Sequence, residues 1–344
     1  MAGPRAAASE PRAARAANLA LREGGGGLDA LVAGFFAAAA EDPAVLLAPV
    51  VVLLGGVGSR ARCLDGRALQ PGKGAGRPRG WRPDEAIPAA AFAGVPRSVA
   101  VLMLLHGHGA RPLAASARAA ARIARKAGAG ARARLLEAIA TSGTAAFCAS
   151  DPLRALMRTA GRAAGGLLTE EDLLDPVPGD EAAAVRALAG GLELAQPPWA
   201  SSPPEHDLGA EIIVAADTHG LVSVLCYAPD RGGIEVPELE ISLSRAAAPV
   251  RRGVARVAPG TPRPTPLPIG LLAQRAEGWF AAVGVAAARA LDEAALAGDT
   301  ASFDDVLDRL AVGGCRALAA TVHRRQTRAL RAGGEETASA RDGG

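Results

Sequence analysis

The order of elements along this chain predicts an α+β protein built from packed layers. Helical stretches with one buried strand come first, strands follow, and helical stretches return, an order that suits segregated helix and sheet. The 344 residues are 49% hydrophobic yet only 3% aromatic, so a large core must be built mostly from Ala, Leu and Val. Residues 209–225 read as two apolar strands folded about Asp217-Thr218-His219-Gly220, where glycine supplies the positive φ that side chains resist.

The elements follow in order. Residues 13–23 suit a helix closed by Gly24 to Gly27, and residues 28–40 a second helix. Residues 45–54 read as a fully buried strand, with Gly55-Gly56-Val57-Gly58 turning into Arg62-Cys63-Leu64-Asp65-Gly66-Arg67. Residues 70–83, rich in Gly, Pro and basic side chains, are expected to be an exposed loop. Residues 98–106, 112–126, 132–139 and 151–164 are expected helices, the last with Asp151 as N-cap and Pro152 at its first position. Thr169-Glu-Glu-Asp172 has the form of a capping box. Residues 176–207 are Pro- and Gly-rich and read as a linker or surface crossing. Residues 234–244 alternate as a half-buried strand with an irregularity at Pro237. After a stiff loop over 259–268, residues 270–291 and 302–330 are expected helices, and 333–344 a disordered tail.

Composition narrows the function. A formal charge of +3, carried mainly by Arg, is too small to point to nucleic acid or an anionic membrane. Cys63, Cys148, Cys226 and Cys315 are far apart, which suits free thiols rather than a zinc site or a disulfide framework. No secretory signal is readable, and the apolar stretch 31–58 is broken by Pro43 and Pro49 into pieces shorter than the roughly 20 residues of a membrane span. A cytoplasmic location is the default. The glycines at 55–58 lack the Lys-Ser/Thr of a phosphate cradle, and His106-Gly-His108 has no third ligand nearby, so a helix end is the plainer reading and no metal or cofactor is expected.

A collinear series of motifs resembles the gamma-glutamyltranspeptidase family of N-terminal nucleophile hydrolases. Leu21-Arg-Glu-Gly-Gly-Gly-Gly-Leu-Asp-Ala30 is similar to its L-R-x-G-G-N-A-x-D-A segment, and Leu64-Asp-Gly-Arg-Ala-Leu-Gln-Pro71 to its D-G-R-E-x-A-P. Gly94-Val-Pro-Arg-Ser-Val-Ala100, the helix ending at Gly109, the segment from Gly143 to Phe147 and Gly165-Gly-Leu-Leu-Thr-Glu-Glu-Asp-Leu173 continue the order. Pro197-Pro-Trp-Ala-Ser-Ser202 is similar to a proline-serine loop, and the hairpin, Val236-Pro237 and Arg263-Pro264 follow.

The resemblance implies a four-layer αββα sandwich forming a single domain over residues 1–332, its large-subunit-like portion spanning residues 1–208 and its small-subunit-like portion residues 209–332. It also implies a chain that cuts itself before a Thr, whose hydroxyl then serves as nucleophile with its own amine as base. The family pattern is T-T-H, a strand, then a D-x-D-G turn. Matching Asp217 and Gly220 to that turn puts Ala210 where the nucleophile is expected, and no hydroxyl lies there. Thr218 and Ser223 are the nearby hydroxyls. Arg67 matches the family's arginine for the substrate α-carboxylate, though a structural ion pair is an equal reading. The amide and acidic positions after Val236-Pro237 read Ser244-Arg-Ala-Ala-Ala248, and paired serines are replaced by Thr265-Pro-Leu-Pro268.

The expectation is a non-catalytic binding or regulatory module, with a gamma-glutamyl or other carboxylate ligand, a protein partner or a second copy as candidates. The alternative is an active gamma-glutamyl hydrolase or transferase of glutathione metabolism that uses Thr218 or Ser223.

Overall fold

The computed structural model describes residues 3–76, 80–174, 176–199, 209–265, 267–285, 309–310, 315–322 and 326–331. The chain opens with β1 (Arg5–Ala8), α1 (Pro11–Arg22), α2 (Gly27–Glu41), β2 (Val50–Gly56) and β3 (Ser59–Gly66). Helices α3 (Ser98–Gly107), α4 (Leu113–Lys126), α5 (Gly130–Ser142), α6 (Ser150–Ala160) and α7 (Glu170–Leu174) follow. The strands come next: β4 (Gly179–Ala182), β5 (Ala184–Ala187), β6 (Leu192–Gln196), β7 (Glu211–Ala216), β8 (Leu221–Tyr227), β9 (Ile234–Val236) and β10 (Ile241–Leu243). Last are β11 (Ile269–Gln274), β12 (Trp279–Val285), β13 (Cys315–Val322) and β14 (Gln326–Arg331).

Two six-stranded antiparallel sheets form the centre, in the orders β1-β7-β8-β2-β3-β4 and β14-β13-β12-β11-β6-β5. Each takes strands from both sides of residue 208. Alternation within β7 and β8 explains the stacking. Ile212, Val214, Val222, Val224 and Cys226 face the second sheet, with Ala282, Ala317 and Ala319 in the same apolar cluster. Ile213, Ala215, Leu225 and Tyr227 face the helices. Helix α2 is apolar nearly all round and buried, as a helix between a sheet and other helices must be. Its Phe35 meets Tyr227 edge to face at 5.3 Å. A Cβ on Gly284 of β12 would fall 2.3 Å from Ile212 Cγ2, so glycine there lets the sheets approach. The outer face of the second sheet carries Leu194, Leu272, Trp279 and Leu318, all buried, with Leu310 of the helical pair Arg309–Leu310 packed on it.

Several expectations change. Residues 270–274, 279–285, 315–322 and 326–330 are strands, not helices, and among the described residues of 302–330 only 309–310 are helical. A strand buried on both faces loses its polar alternation, and an Ala- and Leu-rich run then reads like a buried helix. The expected linker over 176–207 contains three strands among its described residues, with β6 paired to β11. The strand expected over 45–54 starts at Val50, and residues 234–244 form two paired strands rather than one. Asp151 lies inside the first turn of α6 rather than capping it. The tail 333–344 lies outside the described residues. No helix among them is long and apolar enough to cross a membrane.

Two motif aspartates pin the loops around the sheets. Buried Asp29 accepts from the N–H groups of Gly26 (2.8 Å), Ala110 (3.0 Å) and Arg111 (3.1 Å), tying the start of α2 to the chain after α3. Buried Asp172 accepts from Gly72 N (2.8 Å), Lys73 N (3.1 Å) and Thr169 N (3.0 Å), while its own N–H donates to Thr169 Oγ1 (3.2 Å). That completes the expected capping box and fixes the loop after Arg67.

Candidate functional site

The β7–β8 hairpin sorts the sequence-predicted residues into two ends. At its turn, Asp217 Oδ1 accepts from His219 N (2.9 Å) and Leu221 N (3.0 Å), and Gly220 takes φ +90. Thr218 is exposed at the tip. Ser223 follows on the helix-facing side of β8, fully buried, and its Oγ has no hydrogen-bond partner among the described residues. A Cβ on Gly27 would already sit 3.4 Å from that oxygen, so α2 covers the hydroxyl.

Ala210 lies at the other end, just before β7. It is 4% exposed, joins the apolar cluster between the sheets, and its carbonyl accepts from Arg316 Nη1 at 2.7 Å. The six residues of β7 between it and the turn span roughly 20 Å at about 3.3 Å each, and Thr218 lies beyond them. Next to it, Glu211 Oε2 accepts from Ser9 Oγ at 2.6 Å, and its Oε1 accepts from Arg231 Nη2 at 3.3 Å.

Arg67 shares the Ala210 end. Glu211, Tyr227, Val50 and Gly66 form one register row across β7, β8, β2 and β3. Arg67 follows Gly66, so three strand spacings of about 4.8 Å, or about 14 Å, separate it from the start of β7. Its fork is already engaged. Nε and Nη2 each donate to Asp65, to Oδ1 and Oδ2 respectively, at 3.0 Å, and the guanidinium lies 3.6 Å from the centroid of the Trp199 ring.

Arg97 completes the cluster, a residue that sequence reading passed over although it stands in the quoted Val-Pro-Arg-Ser segment. Its Nη2 lies 3.0 Å from Asp65 Oδ2, and its Nε and Nη1 donate to the carbonyls of Arg67 (2.7 Å) and Val177 (3.2 Å). Burial alone would raise the pKa of Asp65, but hydrogen bonds and charge from Arg67 and Arg97 hold it below the usual range. Burial pulls Arg97 down against the pull of Asp65. Trp199 lies in the proline-serine segment, of which residues 200–202 lie outside the described residues.

The thiols offer no activated nucleophile. Burial pushes Cys63, Cys148 and Cys226 up from their ordinary value and Cys315 up to about 12. His106 Nδ1 hydrogen-bonds the carbonyl of Arg111 at 2.9 Å at the end of α3, and no group of metal-ligating side chains is found among the described residues.

Solved structures share this architecture. LmbA2991T421A superposes over 98% of this chain and 98% of its own length with a TM-score of 0.72 at 15% identity. A cephalosporin acylase from Bacillus halodurans superposes over 85% of this chain and 80% of its own with a TM-score of 0.68 at 15% identity. A gamma-glutamyltranspeptidase from Pseudomonas nitroreducens complexed with L-DON overlaps 58% of this chain and 72% of its own with a TM-score of 0.49 at 23% identity, too partial an overlap to carry weight. No family model matches the sequence, and no curated protein matches it. The first two likenesses show the fold, an α+β sandwich of the N-terminal nucleophile hydrolase type with two antiparallel sheets at its centre.

Proposed function

We propose that this chain is a gamma-glutamyltranspeptidase-like protein that has lost its chemistry and acts as a non-catalytic binding or regulatory module. The observation that carries this reading is Ala210. A methyl group packed between the sheets stands where the collinear motifs put the nucleophile, and neither self-cleavage nor amine-assisted attack can proceed without a hydroxyl there. Thr218 is too far from that place to substitute, and Ser223 is sealed beneath α2.

Arg67 points the same way. A substrate carboxylate would have to compete with Asp65 for the guanidinium fork, and Trp199 already covers one face. Any carboxylate ligand at this end would therefore meet Arg67 on the remaining Nη1/Nη2 edge, beside the negative charge of Asp65. The test is hydrolysis of a chromogenic gamma-glutamyl anilide by the purified full chain, with and without a dipeptide acceptor. No release above the buffer rate is expected. Turnover that disappears in Thr218→Ala or Ser223→Ala would overturn the reading.

A further inference from the structure

A second polar site lies on the helix side, joined to the start of β7 through Arg231, which pairs with both Asp42 and Glu211. The α4–α5 connection, the β9–β10 pair and Pro43 border a cavity of about 370 Å³ lined by Arg132, Glu235, Glu240 and Ser242. Arg132 is 7% exposed, and its Nε and Nη1 are enclosed without a hydrogen-bond partner among the described residues. Buried charges are normally paired, so such a guanidinium calls for an anion.

The neighbouring acids are held elsewhere. Glu240 is the one non-glycine residue with positive φ among the described residues, at 53°. It accepts from the N–H groups of Ala131 (2.8 Å) and Arg132 (3.2 Å), so its carboxylate caps α5 and makes no hydrogen bond to the guanidinium. Asp42 is taken by Arg231 at 2.9 Å. Burial pulls the pKa of Arg132 down, while the charges of Glu240 and Asp42 oppose that pull without touching it. Glu235 also lines the cavity, is exposed, and has no ion-pair partner among the described residues.

We propose that this cavity binds a small zwitterion of the α-amino acid class, its carboxylate on Arg132 and its ammonium on Glu235. Glu235 and Glu240 would repel a phosphate dianion, and a bare monocarboxylate would leave Glu235 unanswered. A zwitterion answers both charges. The residues lining the cavity include none of Ala210, Thr218, Ser223 or Arg67, so the proposal is tested separately from the loss of the nucleophile.

Calorimetric titration of the full chain with each proteinogenic α-amino acid in turn, and with acetate, methylamine and inorganic phosphate, tests the assignment. At least one amino acid should saturate one site per chain, at least tenfold more tightly than acetate, with no saturation by methylamine. Glu235→Gln, an exposed change that leaves the fold intact, should bring that amino acid to the acetate level without altering acetate binding. Arg132→Gln should abolish both. The proposal is overturned if no amino acid saturates the wild-type chain, if phosphate binds more tightly than any of them, or if Glu235→Gln binds as wild type.

Discussion

Asp172 and Ala210 stand for two regions of one molecule that have fared differently. Around Asp172, and likewise around Asp29, the motif residues keep every contact a buried carboxylate needs, and the loops they tie carry the α2, α3 and α7 segments into place. At the start of β7, Ala210 presents a methyl group to the apolar cluster between the sheets, and the polar side chains at that end, Glu211 and Arg67, are bonded to Ser9, Arg231 and Asp65. On the function proposed here, residues that hold the architecture are kept while the reactive position is lost. A fold and its chemistry are thus separable within one sandwich.

That contrast can be broken from either side. Asp172→Ala strands three N–H donors, those of Gly72, Lys73 and Thr169, and should lower stability by about 4 kcal/mol in urea unfolding. A loss under about 1 kcal/mol would deny the framework role. Asp65→Asn comes next, at about 3 kcal/mol near neutral pH, because it leaves Arg97 buried without its anion. The pH dependence has a definite sign. The folded pKa of Asp65 is depressed, so its contribution is present above the unfolded value and is lost as pH falls through the folded one. The stability gap between wild type and variant should therefore close below about pH 4.

Ser223→Ala should have a smaller and opposite effect, stabilising the chain by about 1 kcal/mol, since it removes a buried hydroxyl without a partner. Destabilisation instead would show that the hydroxyl is engaged. Thr218→Ala, at the exposed tip, should fall within about 0.5 kcal/mol of wild type and leave any ligand binding unchanged.

How far the sequence reveals these regions depends on how local their signals are. The hairpin was legible because Asp217 and Gly220 build the turn from their own backbone and side chain. The capping box at Thr169 and the helix end at His106 were legible for the same reason. Strands β11 to β13 were not, because Ala and Leu buried on both faces carry no period that separates strand from helix. Motif order singles out Ala210 and Arg67 as expectations, but the pairing of Arg67 with Asp65 is visible only in the fold. Trp199 and Arg97 reach the same cluster from segments far apart in sequence, and only the sheet registers bring them together. Arg132 opens the expected helix over 132–139, and nothing in its own segment shows its surroundings; the cavity it lines is bordered by the β9–β10 pair, which is distant in sequence.

The claim that the start of β7 has lost its nucleophile is tested most directly by intact-mass spectrometry of the purified full chain after prolonged incubation. The expected result is a single species at 34.5 kDa, the mass of the uncut chain. Two fragments whose junction falls between residues 209 and 224 would contradict it and return the chain to the self-processing hydrolases.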